Sequence, residues 1–109
     1  TIFLKTQTPL ALSSSPTKPP TPTSSQPLLG KRALITGSSG GLGRAIALSL
    51  ANAGASTLLH YHVRRSGALD TARSIRSGGG KCDGILRCDF RDPENVKKMC
   101  RIIDETWGG

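Results

Sequence analysis

Apolar residues along this chain fall into two kinds of run that alternate. Short unbroken runs occur at Ala33-Leu34-Ile35-Thr36, Thr57-Leu58-Leu59-His60-Tyr61 and Gly84-Ile85-Leu86-Arg87-Cys88. Each has the length and the bounding residues of a buried strand. Between them, apolar positions return at steps of three and four. Leu42, Ile46, Leu50 and Ala53 line one face of a helix expected over 42–53, with Gly54 as its cap. Leu69, Ala72 and Ile75 do the same in a helix expected over 66–76, which Gly78-Gly79-Gly80 ends. A third helix opens with Asp92 as N-cap and Pro93 at its first position. Its inward stripe reads Val96, Met99, Cys100, Ile103 and Trp107. Three successive strand–helix units with short connections predict an α/β architecture, a parallel sheet covered by helices. The first strand, 33–36, is expected to leave its outer edge bare. That predicts an isolated chain of low stability, prone to aggregate.

Residues 1–29 break this rhythm. They hold eleven Ser/Thr, six of the seven prolines, two lysines and no acid. The prolines of 16–22 remove backbone donors and fix φ, so neither a helix nor a central strand can continue there. Large apolar side chains are too few to offset the entropy of ordering, and the segment is expected to be disordered. Two readings stay open. A Ser-rich, acid-poor leader fits an organelle-targeting peptide, and its lack of Arg suits the plastid stroma better than the mitochondrion. The other is a solvated extension, or untrimmed sequence from an incomplete gene, on a cytoplasmic protein. The chain opens on Thr1 rather than Met and stops at Gly108-Gly109, so 30–109 is expected to be a partial domain of a longer polypeptide.

Charge changes the picture little. In 109 residues, 15 Lys/Arg stand against 7 Asp/Glu, a net charge of +8. All the acids lie from Asp70 onward, which leaves +7 on residues 1–69 and +1 on the remainder. Such a balance raises nucleic acid as a partner. Yet no basic run exceeds two residues and aromatics make up 4%, so a base-stacking platform is missing and no nucleic-acid role is expected. No apolar stretch approaches the roughly 18 residues of a membrane-spanning helix, and no membrane partner is expected. Three cysteines without CxxC spacing suit a reducing compartment. His60 and His62 share a strand but have no evident third ligand, so no metal site is expected.

The glycine turn Thr36-Gly37-Ser38-Ser39-Gly40-Gly41-Leu42-Gly43 carries more chemistry. It joins an expected strand to an expected helix. Glycine there lets backbone approach a ligand closely, and the helix beyond offers unpaired N–H groups and a partial positive charge to an anion such as a diphosphate. The backbone amides following Thr36 are expected to cradle a dinucleotide's bridging phosphates.

At this point the sequence resembles the short-chain dehydrogenase/reductase family. Thr36-Gly37-(Ser38-Ser39-Gly40)-Gly41-Leu42-Gly43 fits that family's TGxxxGxG motif. Arg44-Ala45-Ile46-Ala47, Ala53-Gly54-Ala55 and Cys88-Asp89-Phe90 are similar to its other landmarks. The resemblance covers about residues 31–109 and is strongest to 3-oxoacyl-[acyl-carrier-protein] reductases. It implies the N-terminal half of a Rossmann-type doubly wound parallel sheet. It also implies that Gly37, Gly41 and Gly43 form the diphosphate turn, with Ser39 and Leu42 close to the cofactor. Asp89 would hold the adenine amino group, assisted by the backbone of Phe90. Because Gly40 and Gly41 are adjacent, the run also satisfies the TGxxGxxG spacing of the extended, epimerase-like branch.

Charge bears on the cofactor. An NAD site usually places an acid at the end of the second strand, for the ribose 2′-hydroxyl. No acid lies between Leu42 and Leu69, and the strand ends instead in His62-Val63-Arg64-Arg65. Guanidinium groups grip a 2′-phosphate with paired, charge-assisted hydrogen bonds, so Arg64 and Arg65, with Arg44 adding charge, favour NADP(H) over NAD(H). Gly40 departs from the pattern, standing where many NADP-dependent relatives carry a basic residue.

The resemblance implies carbonyl reduction by hydride transfer to a small-molecule substrate, in an enzyme expected to form homo-oligomers. The family's proton donor, a Tyr followed four residues later by Lys and assisted by a Ser, has no counterpart here. Tyr61, the one tyrosine, is followed by Arg65. Two alternatives stay open: a non-catalytic dinucleotide-binding module, and part of an extended-branch epimerase or dehydratase.

Overall fold

A computed structural model describes residues 2–6 and 21–108. The elements run β1 (Ile2–Thr6), β2 (Lys31–Ile35), α1 (Gly41–Asn52), β3 (Ser56–Tyr61), α2 (Arg65–Ser77), β4 (Lys81–Arg87) and α3 (Pro93–Trp107). They build one sheet in the order β1-β2-β3-β4. β2, β3 and β4 are parallel, with Leu34 opposite Leu58 and Leu59 opposite Ile85. The three expected strand–helix units are all present, each within a few residues of its expected bounds.

Alternation along the strands feeds two cores. Ala33, Ile35 and Leu59 point to one face, where Ala47 and Ala51 of α1 and Ala72 and Ile75 of α2 cover them. Leu34, Leu58 and Cys88 point to the other, under Met99 of α3 with Val96, Ile103 and Trp107 around it. Helices on both faces of a parallel sheet make the arrangement doubly wound, an N-terminal half-sheet of Rossmann type.

The helix ends follow local chemistry. Asp92 caps α3 by accepting the Glu94 N–H at 3.0 Å, and Pro93 takes the first turn, where its missing N–H costs nothing. The far end of α3 is held by Trp107, whose indole Nε1 donates to Asp83 Oδ2 at 2.7 Å. Asp83 reaches it because a register shift leaves it without a ladder partner, between Thr57 opposite Cys82 and Leu58 opposite Gly84. Arg32 donates to the Trp107 carbonyl and lies over its ring.

Four expectations are corrected. The outer edge of β2 is not bare: β1 pairs with it antiparallel, Ile2 opposite Ile35 through Thr6 opposite Lys31. Leu42 is not on the buried stripe of α1 but is 77% exposed, because small residues seat this helix and its buried positions are Ala47 and Ala51. Cys100 lies on the outer side of α3 and is exposed, while Met99 takes the inward position. Leu69 is only half-buried, and Ala68 and Thr71 fill the inner side of α2 with Ala72 and Ile75. Residues 21–29 form neither helix nor strand, but Leu28 packs on the α1/α2 core and donates its N–H to the Ala53 carbonyl at 2.9 Å. The proline-rich stretch 7–20, expected to be disordered, lies outside the described residues. Among the described residues, no helix is long and apolar enough to cross a membrane.

Candidate functional site

The C-terminal ends of β2, β3 and β4 meet at one rim of the sheet, and the candidate residues gather there. Thr36–Gly41 leave β2 and turn directly into α1. Gly37 and Gly41 take φ of +64° and +56°, left-handed values that disfavour a side chain, and the space a Cβ would occupy at each is open. Gly43 is required for the opposite reason. A Cβ there would stand 2.0 Å from the Gly37 carbonyl oxygen, so only glycine lets the first turn of α1 lie against the end of β2.

A second close approach escaped the sequence reading. A Cβ on Gly67 of α2 would lie 2.1 Å from the Ser39 carbonyl oxygen, so the start of α2 is pressed onto the same turn. Thr71, one helical turn later, donates to the Ser38 carbonyl at 2.8 Å, a bond it can exchange with the Gly67 carbonyl at 3.0 Å. Ser38 is fully buried, and both its N–H and its Oγ donate to the His60 carbonyl, at 2.9 and 3.0 Å. The missed residues are therefore Ser38, His60, Gly67 and Thr71. The one available signal was His60 itself, an imidazole inside an apolar strand.

The amides after Thr36 divide into two sets, which corrects the expectation that they act together. Gly37 N–H donates to His60 Nδ1 at 3.1 Å, and Ser38 N–H is held by the His60 carbonyl. These two face the protein. The amides of Gly41, Leu42 and Gly43 open α1, where no intrahelical acceptor exists, and Gly40 before them provides no side-chain cap. Here the helix presents its positive end to solvent.

Arg64 takes the N-cap position of α2, with its Nη1 3.5 Å from where a Cβ of Gly40 would stand. A guanidinium thus lies on the glycine turn at the position that lacks a basic residue of its own. Arg65 begins α2 and is exposed. Arg44 does not join Arg64: its Nη2 donates to Ser74 Oγ at 3.0 Å, part-way down α2.

Beyond β4, Cys88 N–H donates to the Tyr61 carbonyl at 3.0 Å, which brings Asp89 and Phe90 to the same rim. The Phe90 ring stacks on His60 at 4.3 Å and is half exposed. Asp89 Oδ1 accepts from Arg91 Nε and from the Arg91 backbone N–H, both at 3.0 Å, and Oδ2 accepts from Arg91 Nη2. His62 Nε2 lies 3.5 Å from Oδ2. The side-chain bonds from Arg91 hold the Asp89 carboxyl well below the usual carboxylate range, with the Arg91 amide and the Arg91 charge adding to them. In return, Asp89 raises the pKa of Arg91. Burial, with the Asp89 charge beside it, pushes the Cys88 thiol up, so it stays neutral. Tyr61 is buried within β3.

This geometry fits a dinucleotide. Open left-handed glycines, three amides without intrahelical acceptors at a helix start, a guanidinium on the turn and an aromatic ring beyond the third parallel strand lie along one rim. Parallel α/β sheets bind nucleotides at this end. The class defined is a dinucleotide-binding α/β fold.

Comparison with known proteins gives the family. The short chain dehydrogenase family profile matches residues 31–109, and the chain belongs to that family. It is 32% identical over 84 residues to a short-chain type dehydrogenase/reductase of Picea abies, covering 72% of this chain and 31% of that protein. It is 35% identical over 81 residues to an NADPH-dependent aldehyde reductase-like protein, chloroplastic, of Arabidopsis thaliana, covering 67% and 30%. The crystal structure of a dehydrogenase/reductase from Sinorhizobium meliloti 1021 superposes with a TM-score of 0.69 at 38% identity, over 75% of this chain and 32% of that one. The chain thus spans about a third of the length of the relatives it matches. The family uses nicotinamide dinucleotides, and the rim described above fits such a cofactor.

Proposed function

We propose that this chain is the cofactor-binding part of an NADPH-dependent oxidoreductase that reduces a carbonyl in a small molecule, of the 3-oxoacyl-[acyl-carrier-protein] reductase type. One observation carries the cofactor preference: the Arg64 guanidinium lies on Gly40, beside the start of α1, in a stretch without an acid from Leu42 to Leu69. A 2′-phosphate placed there meets a charge-assisted donor. A bare ribose hydroxyl finds no carboxylate to accept its hydrogen.

The chain's own residues divide the work of binding. The amides of Gly41, Leu42 and Gly43 face the diphosphate, where the helix N-terminus stabilises its charge. Arg64 holds the 2′-phosphate, with Arg65 close by in sequence to add positive potential. Asp89 keeps lone pairs for an exocyclic amine beside those given to Arg91, since a carboxylate has about four acceptor sites. When bound, the reduced nicotinamide supplies a hydride to the substrate carbonyl. Among the described residues no Tyr-x-x-x-Lys pair stands ready to deliver the accompanying proton.

Retention on immobilised adenosine 2′,5′-bisphosphate, compared with immobilised 5′-AMP, tests the reading. The unaltered chain is expected to stay on the first matrix, and Arg64→Ala to elute early from it. Equal retention of the two proteins removes the 2′-phosphate role.

A further inference from the structure

The glycine turn and the Asp89-Phe90 segment come from different strands, and one side chain spans the gap between them. His60, 4% exposed at the end of β3, accepts the Gly37 N–H on Nδ1 at 3.1 Å and reaches the Cys88 carbonyl with Nε2 at 2.8 Å. Its ring also stacks on Phe90 at 4.3 Å, with 20° between the planes. We propose that His60 is a positioning residue for the nucleotide. As a neutral imidazole bridging β2 and β4, it sets the separation between the phosphate-facing helix start and the adenine-facing ring. The proposal rests on the dinucleotide reading above and assigns a task that reading does not contain.

The contacts fix the ring's state. A backbone N–H only donates, so Nδ1 must keep its lone pair toward Gly37. A carbonyl only accepts, so Nε2 must carry the hydrogen toward Cys88. One tautomer satisfies both partners. The other would set donor against donor at Gly37 and acceptor against acceptor at Cys88. The His60 carbonyl meanwhile holds the N–H and Oγ of Ser38, so the residue grips the turn from backbone and side chain together. These bonds also turn the Gly37 and Ser38 amides away from the ligand, which leaves the helix start as the phosphate-binding set. Phe90 keeps one face on the imidazole and half its surface open, and the height of any ring stacked on it follows from where His60 sits.

Two substitutions separate the contacts. His60→Phe keeps a flat ring against Phe90 and removes both hydrogen bonds. His60→Asn carries an acceptor at the δ position, within reach of Gly37, and loses the reach to Cys88. Calorimetric titration of the full chain with NADP+, with melting followed in parallel, is expected to show about tenfold or greater loss of affinity for His60→Phe. That follows from leaving buried polar groups unpaired. His60→Asn, which keeps the Gly37 bond but breaks the bridge to Cys88, is expected to lose affinity less steeply, by about threefold to tenfold. The imidazole ¹⁵N shifts of the unaltered chain are expected to report hydrogen on Nε2. A folded His60→Phe that binds NADP+ as well as the unaltered chain overturns this inference alone. So does a folded His60→Asn that binds as well as the unaltered chain, or hydrogen on Nδ1. An unaltered chain that shows the expected tautomer but binds no NADP+ overturns the proposed function instead.

Discussion

The two faces of the sheet are built differently. Under α1 and α2 the core is made of small residues, Ala33, Ala47, Ala51, Ala55 and Ala72 beside Ile35, Leu59 and Ile75. Small side chains bring helix backbone close to strand backbone, and the approach ends at Gly43 and Gly67, where no Cβ can be admitted. Under α3 the side chains are larger and less enclosed. Met99 is the one buried residue of that helix, and Val96, Ile103 and Trp107 are half-covered. The close-packed face is the one that frames the glycine turn. Precision at a phosphate site is set by how near backbones can come, which bulky residues prevent.

If that contrast is right, Gly43→Ala is the most damaging single change. Its methyl group meets backbone rather than a yielding side chain, and a loss of about 3 kcal/mol or more is expected in denaturant melts, together with loss of nucleotide binding. Met99→Ala, on the looser face, is expected to cost about 2 kcal/mol, at the low end for a buried Met, with nucleotide affinity unchanged. A Met99→Ala chain less stable than Gly43→Ala would reverse the contrast. Asp92→Ala removes the cap of α3 and is expected to cost about 1 kcal/mol in the same melts.

The smallest effect concerns acid. The folded-state pKa of Asp89 lies below the unfolded value, so its bonds to Arg91 stabilise the fold above the unfolded pKa of about 3.9. That contribution fades as pH falls below this value toward the folded one. Stability curves of the unaltered chain and Asp89→Asn should therefore differ modestly at neutral pH and converge below about pH 4. Curves that stay parallel through this range would show that the exposed Asp89–Arg91 pair adds nothing to the stability of the rim.

Much of the fold was legible because its signals are local. Asp92 and Pro93 start α3 where their chemistry says a helix should start, and the glycines at 37–43 and 78–80 punctuate strands and helices within a few residues. The site was legible in part for the same reason, since a glycine turn between strand and helix is a contiguous feature. What escaped depends on partners distant in sequence. Nothing near Gly67 indicates that the Ser39 carbonyl will press on it. The task of His60 appears only when Gly37 and Cys88, 23 and 28 residues away, arrive on either side. β1 was missed because its partner lies across a proline-rich stretch that reads as an interruption. Leu42 misled through periodicity, which marks a helix's apolar side but not how far along the sheet that side stays covered.

The strands stand in the sheet in the same order as in the chain, each beside the one made just before it. On a ribosome, each strand after the first therefore finds one ladder partner already outside the exit tunnel, and pairing can keep pace with translation. The glycine turn, proposed above to hold the phosphates, gains its last tie through His60 as soon as Cys88 is out, before α3 has emerged.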